Sequence, residues 1–332
     1  MYGGKKYKVI LRPVKSILGA LGGFLYDFYM FGRCSAWNAK AELDAEARNY
    51  FIAKIYHRLE KGLSFKVRKF GSGWQDVTML IDVLERIPPN SELGFHEARA
   101  VLTAREFIRV NKNENPSLAD QLNAKLLNFP IGAETSFTVG SENITLEEFN
   151  DGVLADPEKF FFSRRSLRDF NGVKIEQESV FRAIQLALRS PSVCNRQAWH
   201  IYHMTDEGAI ATALSFQNGN RGFGTRVPSL LIITADLTAF DSGNERYQHW
   251  IDGGIFSMGL VLALHSLGIA SCCLNWSVSP LTDMSFRKAV PIQRKHSVIM
   301  MLAIGYPEET NKVCCSPRRP VSEVYTHIKE IQ

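Results

Sequence analysis

The sequence predicts a protein of mixed helix and strand in two parts: a mainly helical N-terminal unit, then a unit in which strands and helices alternate. Three observations lead there. Apolar residues recur at helical spacing through most of the first 130 residues, and short β-branched runs such as Leu230 to Ala235 mark the second half. Between them, Pro130 to Asp151 is polar and β-branched without a period, so it reads as a linker with a short extended piece at Ser136 to Val139. At 332 residues the chain exceeds one domain of about 100 to 150 residues. The expected segments are 1–37 (basic, amphipathic), 38–155 (mainly helical, with the linker) and 156–332.

Each element has its own signal. Lys5, Lys6, Lys8, Arg12 and Lys15 precede an apolar run from Ile17 to Phe31. Asp27 interrupts that run, no cleavage site follows it cleanly, and it falls short of the ~20 residues needed to span a bilayer. Ile17, Leu21, Phe24, Phe28 and Phe31 instead mark one face of an amphipathic helix. That helix is expected to pack against the protein or a second subunit, with an anionic membrane surface as the alternative. A helix from Asn38 to Leu63 carries Leu43, Ala47, Tyr50, Phe51, Ile55 and Leu59 on one face and closes at Gly62. In its last turns His57, Arg58, Glu60 and Lys61 either reach a ligand or form a solvated charged face. Gly71 to Gly73 opens a helix through Ile87, stopped by Pro88 and Pro89, and two more follow from Phe95 to Val110 and from Leu118 to Phe129.

In the second unit, Asp156-Pro157-Glu158 starts a helix with acid in its first turn and proline where its missing N–H does no harm. Helices are expected at Glu176 to Arg189, Asp206 to Phe216, Gln248 to Leu267 and Leu281 to Ala289, with a last one after Pro320. Strands are expected at His200 to Met204, Leu230 to Ala235, Ile269 to Leu274 and Ser297 to Ile304. Gly253, Gly254 and Gly259 each cost the long helix about 1 kcal/mol relative to alanine, so something must approach closely there. No Gly-x-Gly-x-x-Gly joins a strand to a helix, which argues against a dinucleotide-binding unit or a P-loop.

The charge balance, +5, is too small and too scattered to indicate a nucleic-acid partner. Cys34, Cys194, Cys272, Cys273, Cys314 and Cys315 include two adjacent pairs and no C-x-x-C, so they point to a reducing, cytoplasmic compartment and no metal site. The chemistry concentrates in two clusters. Phe162 to Phe170 packs Arg164, Arg165, Ser166 and Arg168 between aromatics, and arginine forks with a serine hydroxyl suit a phosphate. A solvated basic loop is the plain alternative. One helix later comes Pro191-Ser192-Val193-Cys194-Asn195-Arg196-Gln197-Ala198-Trp199.

Together these clusters resemble the FMN-dependent nitroreductase superfamily, which pairs Arg-Arg-Ser-x-Arg-x-Phe with Pro-Ser-x-x-Asn-x-Gln-Pro-Trp. The match runs from about Asp156 to the end, and Ala198 stands where the family usually has proline. The resemblance implies an α+β sandwich, a mostly antiparallel sheet flanked by helices, with a long helix at the core of a homodimer. It implies FMN held by Arg164, Arg165, Ser166, Arg168 and a late basic residue, Arg318 or Arg319. Pro191, Ser192, Val193 and Asn195 would contact the flavin across the two-fold, and Gln197 belongs to the same cofactor-binding set. Cys273, Leu274 and Asn275 would lie along the ring, and Asn220 near the pyrimidine edge.

The implied reaction is that of an FMN-dependent oxidoreductase of nitroreductase type, passing hydride from NAD(P)H through the flavin to a small-molecule acceptor. It requires no catalytic side chain, and none is nominated. The alternatives are a flavin-consuming or non-redox transformation on the same fold, or a non-catalytic partner-binding module.

Overall fold

In the computed structural model, residues 3–37, 44–89, 91–129 and 139–329 are described, without the side chains of 3–13. The expected extended piece at Ser136 to Val139 lies almost wholly outside them. Helix α1 runs Gly3–Cys34. The N-terminal unit is α2 (Ala45–Ser64), α3 (Trp74–Leu84), α4 (Phe95–Asn111) and α5 (Pro116–Leu126). Asp44 caps α2 by accepting from the Glu46 and Ala47 amides, and Asn115 caps α5. Their apolar faces share one core, including Ile52, Leu59, Leu80, Leu84, Val101, Ile108 and Leu122. Burial of each large aliphatic side chain here contributes about 1.5–3 kcal/mol, which makes this core the main term holding the four helices together.

Two expectations need correction. The linker contains a helix, α6 (Leu146–Asn150), made by a capping box in which Thr145 and Glu148 satisfy each other's backbone. The expected C-terminal helix is absent among the described residues, where only a 3₁₀ turn at Val321–Glu323 follows Pro320.

The second unit is an α+β sandwich. Helices α7 (Pro157–Ser163) and α8 (Gln177–Ala187) lead into β1 (Trp199–Met204), α9 (Glu207–Ser215), β2 (Ser229–Asp236), α10 (Gln248–Ser266), β3 (Ala270–Asn275), α11 (Pro280–Ala289) and β4 (His296–Gly305). The sheet order is β1-β2-β4-β3 and every neighbouring pair is antiparallel. Central β2 is buried throughout and alternates as a strand must. Leu231, Ile233 and Ala235 meet α8 and α10, whereas Leu230 and Ile232 meet the layer containing α9 and α11.

Two of the three α10 glycines have a steric reason. A Cβ on Gly253 would lie 2.6 Å from Ile299 of β4, and one on Gly259 would lie 2.4 Å from the Ser190 hydroxyl; Gly254 faces open space. No helix among the described residues is long and apolar enough to cross a membrane.

The two units touch at specific groups. Lys54 of α2 pairs with Asp241 at 2.9 Å. His96 of α4 makes a 3.1 Å hydrogen bond to the Arg196 carbonyl, and α2 packs against the turn at Val193–Asn195. Near its C-terminus α1 inserts Phe31 beside Ala198, Leu237 and Phe240, and Tyr26 donates to Asp283 at 2.6 Å.

Candidate functional site

The arginine segment begins where α7 ends. Asp156 caps α7 by accepting from the Lys159 amide, and Arg164 leaves the helix in an extended conformation. Ser163 is pinned 2.9 Å from Nε2 of His265, near the C-terminus of α10. The chain then joins the open edge of β3: Ser166 forms a parallel bridge with Ser271, and the Leu167 amide donates to the Ser271 carbonyl at 3.2 Å. Phe170 is buried against Gly305, where any Cβ would come 2.5 Å from its ring. Sterics thus account for the glycine at 305.

The basic side chains differ in what they already hold. Arg165 folds back on the carbonyls of Phe162 and Arg164. Arg168 is exposed, with Nη1 3.6 Å from the Cys314 sulfur, so the late chain returns to this edge. The guanidinium of half-buried Arg164 has no hydrogen-bond or ion-pair partner among the described residues, and its charge acts on Cys273. An unpaired guanidinium beside Ser166 and Arg168 fits an anion such as a flavin phosphate.

On β3, Cys273 and Asn275 project outward while Leu274 is only 3% exposed in the core. Leu274 therefore offers its backbone, not its side chain, to the outer face. Packing raises the Cys273 thiol above its ordinary value, with Arg164 pulling the other way. A thiol kept protonated is a poor nucleophile.

The expected roles of Asn220, Arg318 and Arg319 meet competing bonds. Both amide hydrogens of Asn220 are spent closing α9, on the Leu214 and Gln217 carbonyls at 2.8 and 2.7 Å. Gln217, which the sequence did not suggest, is 5% exposed and ties that turn to the Asn275 carbonyl at 3.0 Å. Arg318 turns onto the Ser316 carbonyl, and Arg319 pairs with Glu323 at 2.8 Å.

The Pro191–Gln197 segment is held in a strained form. Cys194, Asn195 and Gln197 have φ of 50°, 51° and 54°, a left-handed region costly for residues with a Cβ. Surrounding bonds impose it. Ser192 Oγ accepts from the Gln197 amide at 3.0 Å, and Asp252 of α10 accepts from the Val193 amide at 3.1 Å. Arg196 is 1% exposed and donates through both terminal nitrogens to Glu245, and through Nη1 also to the Ala239 carbonyl. Pro191 and Asn195 remain exposed at the tip, with Ser192, Val193 and Gln197 half-buried behind them. Trp199 anchors the exit by stacking on Phe256 at 4.7 Å.

The two clusters do not meet within one chain. The arginine segment touches α10 at His265, whereas the strained loop touches it at Asp252. That separation is about 20 Å along the helix axis at ~1.5 Å per residue. From Trp250 to Met258, α10 exposes an apolar stripe of Trp250, Ile251, Ile255 and Met258.

Residues 162–215, which hold both clusters, match the model of the Nitroreductase family. A protein of Archaeoglobus fulgidus, provisionally named NADH dehydrogenase/NAD(P)H nitroreductase, is 24% identical over 155 residues, covering 46% of this chain and 85% of its own. Among solved structures, an FMN-dependent nitroreductase of Clostridium difficile R20291 is 22% identical at a TM-score of 0.43, covering 52% of this chain and 98% of its own. A nitroreductase family protein of Streptococcus pneumoniae TIGR4 is 19% identical at a TM-score of 0.44, covering 51% and 98%. A nitroreductase-family segment therefore lies in the C-terminal region, and these relatives cover about half of the chain.

Proposed function

We propose that residues 156–332 form an FMN-dependent oxidoreductase that takes electrons from NAD(P)H and passes them to a small organic acceptor, working as a two-fold dimer with shared sites. The observation that carries this is the family match over 162–215. The geometry supports it in two ways. The β3 edge offers Arg164, Ser166 and Arg168 to a phosphate, and Cys273 and Asn275 line the outer face beside them. The strained loop presents Asn195 at the far end of α10, where antiparallel pairing of two α10 stripes would carry it to the partner's arginine segment.

When bound, FMN would supply the two-electron chemistry between nicotinamide and acceptor. The chain's own part is to neutralise the phosphate with Arg164 and Arg168, to keep Cys273 protonated, and to hold Asn195 by the Ser192, Asp252 and Arg196 bonds. The helical unit, 38–155, braces that loop through His96 and α2. Of its tail charges, Arg58 pairs with Asp76 at 2.7 Å and His57 with Glu60 at 3.2 Å, while Lys61 is exposed.

The test is the absorption spectrum of freshly purified protein before and after anaerobic NADPH. Flavin bands that bleach on addition are expected; a colourless protein that takes up no FMN would refute the assignment.

A further inference from the structure

Helix α1 is 32 residues long, about 48 Å at ~1.5 Å per residue, and only its C-terminal part rests on the protein. Tyr26 bonds Asp283, Arg294 reaches Tyr29 at 2.7 Å, and Met30 and Phe31 are buried. From Val14 to Gly22 every residue is exposed, so this stretch stands clear of the body. Val14, Ile17, Leu18, Leu21, Leu25 and Phe28 are 47% to 66% exposed and recur at i, i+3, i+4 and i+7. At ~100° per residue, Tyr26 and Met30 fall on the opposite side of the helix, so the apolar stripe points away from the body they attach to. Of the face expected to pack, Phe31 does so and Phe28 meets the Trp37 ring edge-on at 6.1 Å, whereas Ile17, Leu21 and Phe24 stay exposed.

Charge selects the occupant. Lys5, Lys6, Lys8, Arg12 and Lys15 lie in the N-terminal half of α1, and no acidic residue precedes Asp27. A second copy would bring the same excess of positive charge to the contact, with a single acidic residue, Asp27 near the far end of the helix, to set against five basic ones. An anionic bilayer offers negative headgroups for the lysines and acyl chains for the stripe, while the helix stays too polar to cross. We propose that α1 lies in the surface plane of an anionic membrane, apolar stripe down, with the protein body carried above it on Tyr26 and Met30. This does not rest on the flavin assignment.

Flotation of the full chain with vesicles of phosphatidylcholine plus phosphatidylglycerol, and with phosphatidylcholine alone, tests it. Binding is expected only to the anionic vesicles, and it should weaken with added salt. Leu18→Glu, Leu21→Glu and Leu25→Glu together should abolish it while leaving the far-ultraviolet dichroism of the body intact. Arg12→Glu and Lys15→Glu should weaken it by more than tenfold, because each reversal replaces an attraction to the anionic surface by a repulsion. Equal binding to both vesicles, no binding to either, or full binding by the triple variant would overturn the proposal. So would the triple variant splitting an oligomer of a protein that does not float, which would assign the stripe to a second copy.

Discussion

At the scale of single residues, the two arginines that matter most behave oppositely. Arg164 is half-buried and unpaired, an arrangement that favours an anionic ligand, since a desolvated phosphate must be met by charged donors. Replacing Arg164 and Arg168 by alanine should remove bound FMN, read as loss of flavin absorbance after gel filtration, with the unfolding midpoint of the apoprotein unchanged. Full occupancy would show that the phosphate sits elsewhere. The terminal nitrogens of Arg196 are already held by Glu245 and Ala239, while its Nε is buried without a partner. Arg196→Ala strands a half-buried carboxylate, and the chemical-denaturation stability should fall by about 3–5 kcal/mol. The sequence exposed the first arginine and hid the second. Three arginines beside serines between aromatics state a chemistry, whereas Arg196 occupies a variable position of its motif, and arginine is rarely buried unless paired with a partner far along the chain.

Among the elements, the contact between α4 and the strained loop carries a pH signature. His96 receives a hydrogen bond from Tyr56 at Nδ1 and, because the Arg196 carbonyl can only accept, donates from Nε2. It is therefore neutral, and burial lowers its pKa to about 4; burial does the same to His249 under α1. Both values are depressed relative to the unfolded chain, so the unfolded state binds protons first as pH falls. Stability from these two groups is fully present above about 6.5 and is lost progressively down to about 4, at roughly 2 kcal/mol each by pH 5. Thermal unfolding from pH 7 to 5 should show this fall, and it should be shallower in a His96→Gln, His249→Gln variant. An equal slope in that variant would mean that carboxylates alone set the acid limit. Helical periodicity made α2 to α5 and α8 to α11 legible, because each has a face to bury. The same periodicity misled at Val321, Val324, Tyr325 and Ile328, which are 63% to 74% exposed and have nothing to pack against. The α6 capping box was written in Thr145 and Glu148 but is too short to produce a period.

For the whole molecule, α10 decides whether the site is internal or shared. Its apolar stripe was hidden in the sequence because the helix is apolar almost all round, and only the sheet shows which side is left bare. If two copies pair through this stripe, Ile251→Glu with Ile255→Glu should give monomers that no longer retain FMN, since each charge would then meet its own copy at the two-fold axis. A stable monomer that keeps FMN would place the whole site in one chain. A sharper discrimination comes from mixing defects. If each flavin takes Arg168 from one protomer and Asn195 from the other, an Asn195→Ala subunit paired with an Arg168→Ala subunit has one site with both changes and one with neither. The mixed dimer should then hold about half the flavin of the unaltered protein, although each parent dimer is impaired at both sites. Were both residues to serve the same chain's flavin, every site in the mixed dimer would carry one change and nothing would be restored. Purifying the mixed species with two different affinity tags and measuring flavin per dimer separates these outcomes, because only crossing between the ends of paired α10 helices can regenerate an intact site.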